Sequence, residues 1–289
     1  MKKIFSALLC IILCSIGAAA QNTDTTANSL LWRITGKGMQ KPSYLFGTIH
    51  MICSDDYVWT DRMKQALDET PDVCFEMNIS DPNVMIQAAA GLMDNSGKKL
   101  KDYFTPQQYQ LLSKYVTDSL HMDISMFQQL KPVALQTLFG TKSAGCPDPK
   151  SYEENIMAYA QSQNKKMEGL EEVKEQIDVL SSIPTDTVIK AIMDDLNGGG
   201  DDAKEYNTLI SAYKKQDLPA LYTLIMNSKD EGDDMALFLD ERNKKWIARM
   251  SAKMKQQPVF FAVGAGHLWG PNGVINLLKK DGYTVTPIK

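Results

Sequence analysis

Two of the three histidines in this chain close the same four-residue pattern, Gly47-Thr48-Ile49-His50 and Gly264-Ala265-Gly266-His267. Each pattern follows directly on an apolar run, Ser43 to Phe46 in one case and Val259 to Val263 in the other. An imidazole can bind a divalent metal through a neutral nitrogen or carry a proton near neutral pH. In an open α/β sheet, functional groups gather beyond the carboxyl ends of the strands. A glycine there lets the backbone approach closely or take a positive φ, which presents the next side chain to a crevice. Two such histidines, 217 residues apart in matching settings, point to one shared site. The third, His121, sits in a polar stretch and reads as solvated.

Acids and one base are placed to join them. Glu76 follows Val73-Cys74-Phe75, and its period-2 neighbour is Cys74, so it shares an apolar-facing position. A carboxylate placed there must be paired, protonated or bound to a metal, because burying it alone is costly. Glu171 closes the short strand expected over Lys166 to Leu170. In a helix expected over 231–255, Met235, Leu239, Trp246 and Met250 form the apolar stripe, and Arg242 and Asn243 fall on that stripe. An arginine facing strand-end carboxylates would satisfy both sides.

The elements that must position these residues are legible as a pattern. Strands are expected at 31–34, 43–46, 72–77, 166–170, 259–263 and 283–288, and a helix at 57–69 links the second to the third. A Gly-rich turn then leads to a helix from Pro271 to Gly282. Both ends of the chain thus carry strand, Gly-x-x-His, helix, strand. Between them, 81–256 reads as a helical insertion, with helices at 83–93, 106–119, 132–140, 151–163, 172–182, 185–196, 203–215 and 231–255. The fold class is α/β: two βαβ halves forming a mixed sheet with the helical insertion between them. Its methionines, including Met85, Met93, Met122, Met126, Met193, Met226 and Met235, read as adaptable core filler.

The first twenty residues have the order of a cleavable export signal: Lys2 and Lys3, an apolar stretch from Ile4 to Ile16, then Ala18-Ala19-Ala20. The apolar stretch is short for a bilayer span, and Cys10 and Cys14 lack the small preceding residue of a lipid-modification site. The reading is an exported protein, periplasmic or secreted, with no membrane span once the signal is removed, and with a disordered lead-in over 21–29 before a single domain over 30–289. Without the signal, 29 basic and 35 acidic residues remain, which excludes tracking a nucleic-acid backbone. Of the cysteines left, Cys74 reads as buried packing, while Cys53 and Cys146 lie in loops and are the better disulfide pair.

Taken together, YLFGTIHM at 44–51, VCFEMNI at 73–79, GLE at 169–171, ERN at 241–243 and VGAGHLWGPNGVINLLKKDGY at 263–283 resemble the TraB/GumN family, whose animal branch is the TIKI proteases that cleave Wnt proteins. The resemblance implies a divalent metal, manganese or cobalt, and peptide-bond hydrolysis. It extends remotely to erythromycin esterases and a haem-binding envelope protein, so fold alone does not fix the chemistry. Asn78 stands where relatives often carry Asp.

The function expected is a metal-dependent hydrolase acting on a peptide or protein outside the cytoplasm. His50 and His267 would bind the metal, with Glu76 as ligand or general base. Arg242 would stabilise the developing oxyanion, Asn243 would orient a ligand or the substrate, and Glu171 is an acid–base or supporting group. HExxH and G-x-S-x-G are both missing from the sequence, so neither a zincin nor a serine-elbow hydrolase is expected. The rival reading is a non-catalytic binder that sequesters a peptide, a metal or haem in the same crevice. A more distant one makes His50-x-x-Cys53 part of a zinc site.

Overall fold

The structure, a computed structural model, describes residues 28–140, 146–198, 202–227 and 237–289. The export signal expected over 1–20, and Met235, lie outside them. Of the lead-in expected over 21–29, Asn28 and Ser29 are described. Ser29 is buried, and its hydroxyl donates to the Ile288 carbonyl at 2.6 Å, so this residue belongs to the packed fold rather than to a disordered lead-in.

Six strands make one mixed sheet. In chain order they are β1 (Leu31–Thr35), β2 (Ser43–Thr48), β4 (Asp72–Phe75), β6 (Lys166–Gly169), β7 (Val259–Gly264) and β8 (Thr284–Ile288), arranged β6-β4-β7-β2-β1-β8. The two-residue strands β3 (Ile52–Cys53) and β5 (Pro149–Lys150) form a separate ribbon. Strands β6, β4, β7 and β2 run parallel to one another, whereas β1 is antiparallel to both β2 and β8. The central strands β2 and β7 are buried on nearly every residue, as their unbroken apolar runs require.

The two halves interleave. After β2 the chain passes through α1 (Asp61–Asp68) to β4, on the far side of β7. After β7 it passes through α11 (Val274–Lys280) to β8, on the far side of β2 and β1. Connections from two adjacent parallel strands therefore leave in opposite directions. That is a topological switch point, and the crevice beyond it is where ligands of such sheets bind.

Between β4 and β7 lie α2 (Pro82–Gly91), α3 (Pro106–Asp118), α4 (Val133–Gly140), α5 (Tyr152–Ser162), α6 (Val173–Ser182), α7 (Thr185–Leu196), α8 (Asp202–Lys214), α9 (Leu218–Met226) and α10 (Arg242–Met254). Helix α9 is not among the elements expected above, although Asp217 caps it by accepting from the Ala220 amide at 3.1 Å and Pro219 sits in its first turn. A π-helical turn over Leu237–Glu241 runs directly into α10. One core packs on the sheet, and a second joins Leu112, Val116, Leu135, Val188 and Ile192 from α3, α4 and α7. The methionines divide: Met193 is buried, but Met85 and Met126 are exposed.

Cys53 and Cys146 form a disulfide across 93 residues, and Cys74 is a buried free thiol. With Cys53 so engaged, a His50-x-x-Cys53 zinc site is ruled out. Among the described residues no helix is long and apolar enough to cross a membrane.

Candidate active site

Both Gly-x-x-His segments reach the switch point, and the glycines act there through close approach rather than through unusual φ. A Cβ on Gly47 would lie 2.9 Å from Leu268 Cδ2 and 3.2 Å from Ala265 Cα, so only glycine lets the turn after β7 pack onto β2. A Cβ on Gly264 would meet Glu76 Oε1 at 3.3 Å. With that space free, the Gly264 amide donates to the same oxygen at 2.8 Å. The cavity beyond these strands holds about 460 Å³. Its polar lining is His50, Glu76, Gln176, Arg242 and His267, and its apolar lining includes Leu180, Leu209, Ile225 and Leu239.

The polar lining is organised around one guanidinium. Arg242, the first residue of α10, donates from Nη2 to Glu76 Oε2 at 2.5 Å and also to Glu171 Oε1. Its Nε lies 3.1 Å from both Glu171 oxygens. Its Nη1 approaches His267 Nε2 at 3.3 Å. The two carboxylates are brought side by side by the backbone: the Glu76 carbonyl accepts from the Leu170 and Glu171 amides at 3.0 and 2.9 Å. Gln176 Nε2 spans them, 3.2 Å from Glu171 and 3.4 Å from Glu76, and Trp246 Nε1 donates to Glu171 Oε2 at 3.2 Å. Burial raises the cost of the Glu76 charge, but His267, Arg242, His50 and the Gly264 amide together hold its carboxyl down at about 2.

His267 is buried, with its ring 4.4 Å from that of Trp246. Its Nδ1 lies 2.7 Å from Asn243 Oδ1. The Asn243 amide nitrogen donates to the carbonyls of His267 (3.3 Å) and Asn272 (2.9 Å), which orients the amide with its oxygen toward the ring. Nδ1 must therefore carry the proton, and Nε2 presents a lone pair beside Arg242 and 3.7 Å from Glu76 Oε1. Burial, opposed by Glu76 and reinforced by Arg242, depresses this imidazole to about 3 and keeps it neutral.

His50 stands differently. Its side chain is 77% exposed, and Nδ1 lies 3.1 Å from Glu153 Oε1. That hydrogen bond raises the ring to about 9. Solvent screens the pair, so its contribution to stability is small.

The six residues singled out from the sequence thus fall in one region. Glu76, Glu171, Arg242 and His267 share direct contacts, Asn243 touches His267, and His50 lines the same cavity from the β2 side. Asn78 lies off the cavity wall, accepting from Ser80 Oγ at 2.7 Å. Glu153, Gln176 and Trp246 escaped the sequence reading. Trp246 reads as packing on the α10 stripe, and nothing local marks Glu153 as the partner of His50, 103 positions away, or Gln176 as the partner of Glu76, 100 positions away.

The donor types suit a divalent ion: two imidazoles with Nδ1 engaged by a side-chain oxygen and a carboxylate held ionised, with His50 having to give up the proton that Glu153 favours before its Nε2 can ligate. Arg242 lies against the same lone pairs of Glu76 and His267, so an ion and this guanidinium compete for them. In this arrangement no group of three or more His, Cys, Asp or Glu among the described residues could hold a metal.

The chain is similar to several proteins named metalloproteases. The chain is 26% identical to metalloprotease TIKI1 of Danio rerio, over 93% of this chain and 65% of that protein. It is 26% identical to a metalloprotease TIKI homolog of Amphimedon queenslandica, over 91% of this chain and 62% of the relative. It is 24% identical to metalloprotease TIKI1 of Homo sapiens, over 89% and 61%. The chain therefore spans somewhat less than two thirds of these relatives' lengths. No solved structure matches it. The model of the TraB/PrgY/gumN family matches residues 30–287, and the chain belongs to that family.

Proposed function

We propose that this protein is an exported, divalent-metal-dependent peptidase. The observation that carries the reading is the Glu76–His267 pair: an ionised carboxylate and a neutral Nε2 lone pair 3.7 Å apart at the switch point. Relatives named metalloproteases support it, and the disulfide supports export, since such bonds persist in oxidising compartments. A bound divalent ion would supply Lewis-acid polarisation and a lowered water pKa; the family resemblance favours manganese or cobalt.

His267 and His50 would hold the ion through Nε2, and Glu76 would ligate it or accept the proton from the attacking water. Asn243 keeps His267 in the tautomer this needs. Arg242, whose Nη1 has His267 Nε2 as its contact, would set its positive charge beside the cavity, where negative charge develops on the carbonyl oxygen being attacked. Glu171, Gln176 and Trp246 keep that guanidinium in place, through Glu171. The apolar lining of the cavity would accept the flanking parts of a peptide.

The test compares wild type with Glu76→Gln, each stripped of metal and reloaded with manganese, cobalt or zinc, on a peptide library. Turnover should require metal and fall roughly 10²–10⁴-fold in the variant. Cleavage that survives both chelation and the substitution would refute the mechanism. No cleavage under any condition, with retained affinity for a peptide or haem, would favour sequestration instead.

A further inference from the structure

The carboxylate nearest His50 belongs to a residue with no part in the chemistry above. Glu153 lies in the first turn of α5, whose capping residue is Ser151, accepting from the Glu154 amide at 3.2 Å. The Glu153 side chain turns back to the end of β2 and is 17% exposed. Its Oε1 accepts from Thr48 Oγ1 at 2.6 Å and meets His50 Nδ1 at 3.1 Å, while Oε2 takes the Ser151 hydroxyl at 3.2 Å. Thr48 is buried in the sheet, so the carboxylate is anchored to a rigid strand. Among the described residues no Lys or Arg pairs with it, and His50 is its ion-pair partner.

The backbone is built to keep this contact. Ile52 pairs with Lys150 and Cys53 with Pro149 in the β3–β5 ribbon, and the Ser54 amide donates to the Asp148 carbonyl at 3.1 Å. Continued in the antiparallel sense, that register brings His50 opposite the start of α5. The Cys53–Cys146 disulfide closes the ribbon's other end. A ladder, a covalent bond and two hydroxyl contacts thus converge on one hydrogen bond to an otherwise exposed ring.

We propose that Glu153 is a positioning residue: it fixes the His50 ring with Nδ1–H on the carboxylate, so that Nε2 faces the cavity as the acting nitrogen. This rests on the reading of His50 as part of the active site. Free neutral imidazole favours the proton on Nε2, so Glu153 must reverse the ordinary preference, and that reversal can be measured without metal or substrate. Outer partners of this kind typically change metal affinity 10–100-fold when removed.

The experiment uses imidazole ¹⁵N shifts of the metal-free protein in alkaline buffer, where the ring is neutral, for wild type, Glu153→Ala, Glu153→Gln and Glu153→Asp. Thermal melts establish that each is folded. Wild type should show His50 as the Nδ1–H tautomer. Glu153→Ala should revert to Nε2–H, and Glu153→Asp should restore Nδ1–H at least in part. Cobalt titration on the same proteins should show roughly 10–100-fold weaker binding in Glu153→Ala and Glu153→Gln, with rescue by Asp. A His50 tautomer indifferent to Glu153, or an Nε2–H ring in wild type, overturns the inference. Failure of the peptidase reading looks different: the tautomer responds to Glu153, yet wild type neither takes up metal nor cleaves peptide.

Discussion

The two histidine segments follow the same local plan and end in opposite electrostatic states. Each imidazole leaves a parallel strand two or three residues past its end and gives Nδ1 to a side-chain oxygen. For His267 that oxygen is a neutral amide, the ring is buried, and an arginine stands at Nε2. For His50 the oxygen is a carboxylate and the ring faces solvent. The first ring is held neutral far below its usual range, whereas the second is pushed up to about 9. Environment alone drives two groups of one type apart. A tetrapeptide can place a ring, but the partner on another element decides what the ring does.

The contrast is broken most severely at Arg242. Its replacement in Arg242→Met leaves Glu76 and Glu171 buried without a counter-charge, which costs about 3–5 kcal/mol when one partner of a buried pair is lost. Urea denaturation should show that loss, and a change under ~1 kcal/mol would mean the cluster is far better solvated than its burial implies. A second effect is a slope. Between about pH 6.5 and 3, unfolded chain protonates His267 and the folded form does not. Stability of the metal-free protein should therefore fall as pH drops through that window, by about 1.4 kcal/mol per unit from this group. Glu76, depressed to about 2, acts in the same sense below its unfolded value. His267→Gln should flatten the slope above pH ~4.5, and an unchanged slope there would assign acid sensitivity elsewhere.

The smallest effect belongs to His50. Its raised pKa gives stability that is complete below about 6.5 and is lost as pH rises through 9. Since the ring is exposed, Glu153→Gln should cost under ~1 kcal/mol at neutral pH. A larger loss in denaturant melts would show Glu153 holding the fold rather than the ring.

Much of this arrangement was legible beforehand. β2, β4 and β7 carry apolar runs bounded by turn residues, and Arg242 and Asn243 stand out as polar groups on the apolar face of α10. Four features were not legible, each for a physical reason. β3 and β5 are two residues long and carry no periodicity. The interleaving of β7 between β4 and β2 is a matter of sheet order, which local pattern does not encode. Helix α9 had its Asp217-Leu218-Pro219 start, but its largely apolar run lacks an alternating polar face. Glu153 meets His50 across 103 residues, through a ribbon too short to see in sequence.

The disulfide ties competence to place. It closes the same ribbon that sets His50 against Glu153, three residues from one and seven from the other. Before oxidation, that ribbon has two ladder pairs to hold it. With the disulfide reduced, the buried Glu76–Arg242–Glu171 cluster would be untouched, and the His50 segment would rest on those two pairs and on the Glu153 contact. The half of the site buried in the fold is thus independent of the disulfide, and the exposed half is tied to it.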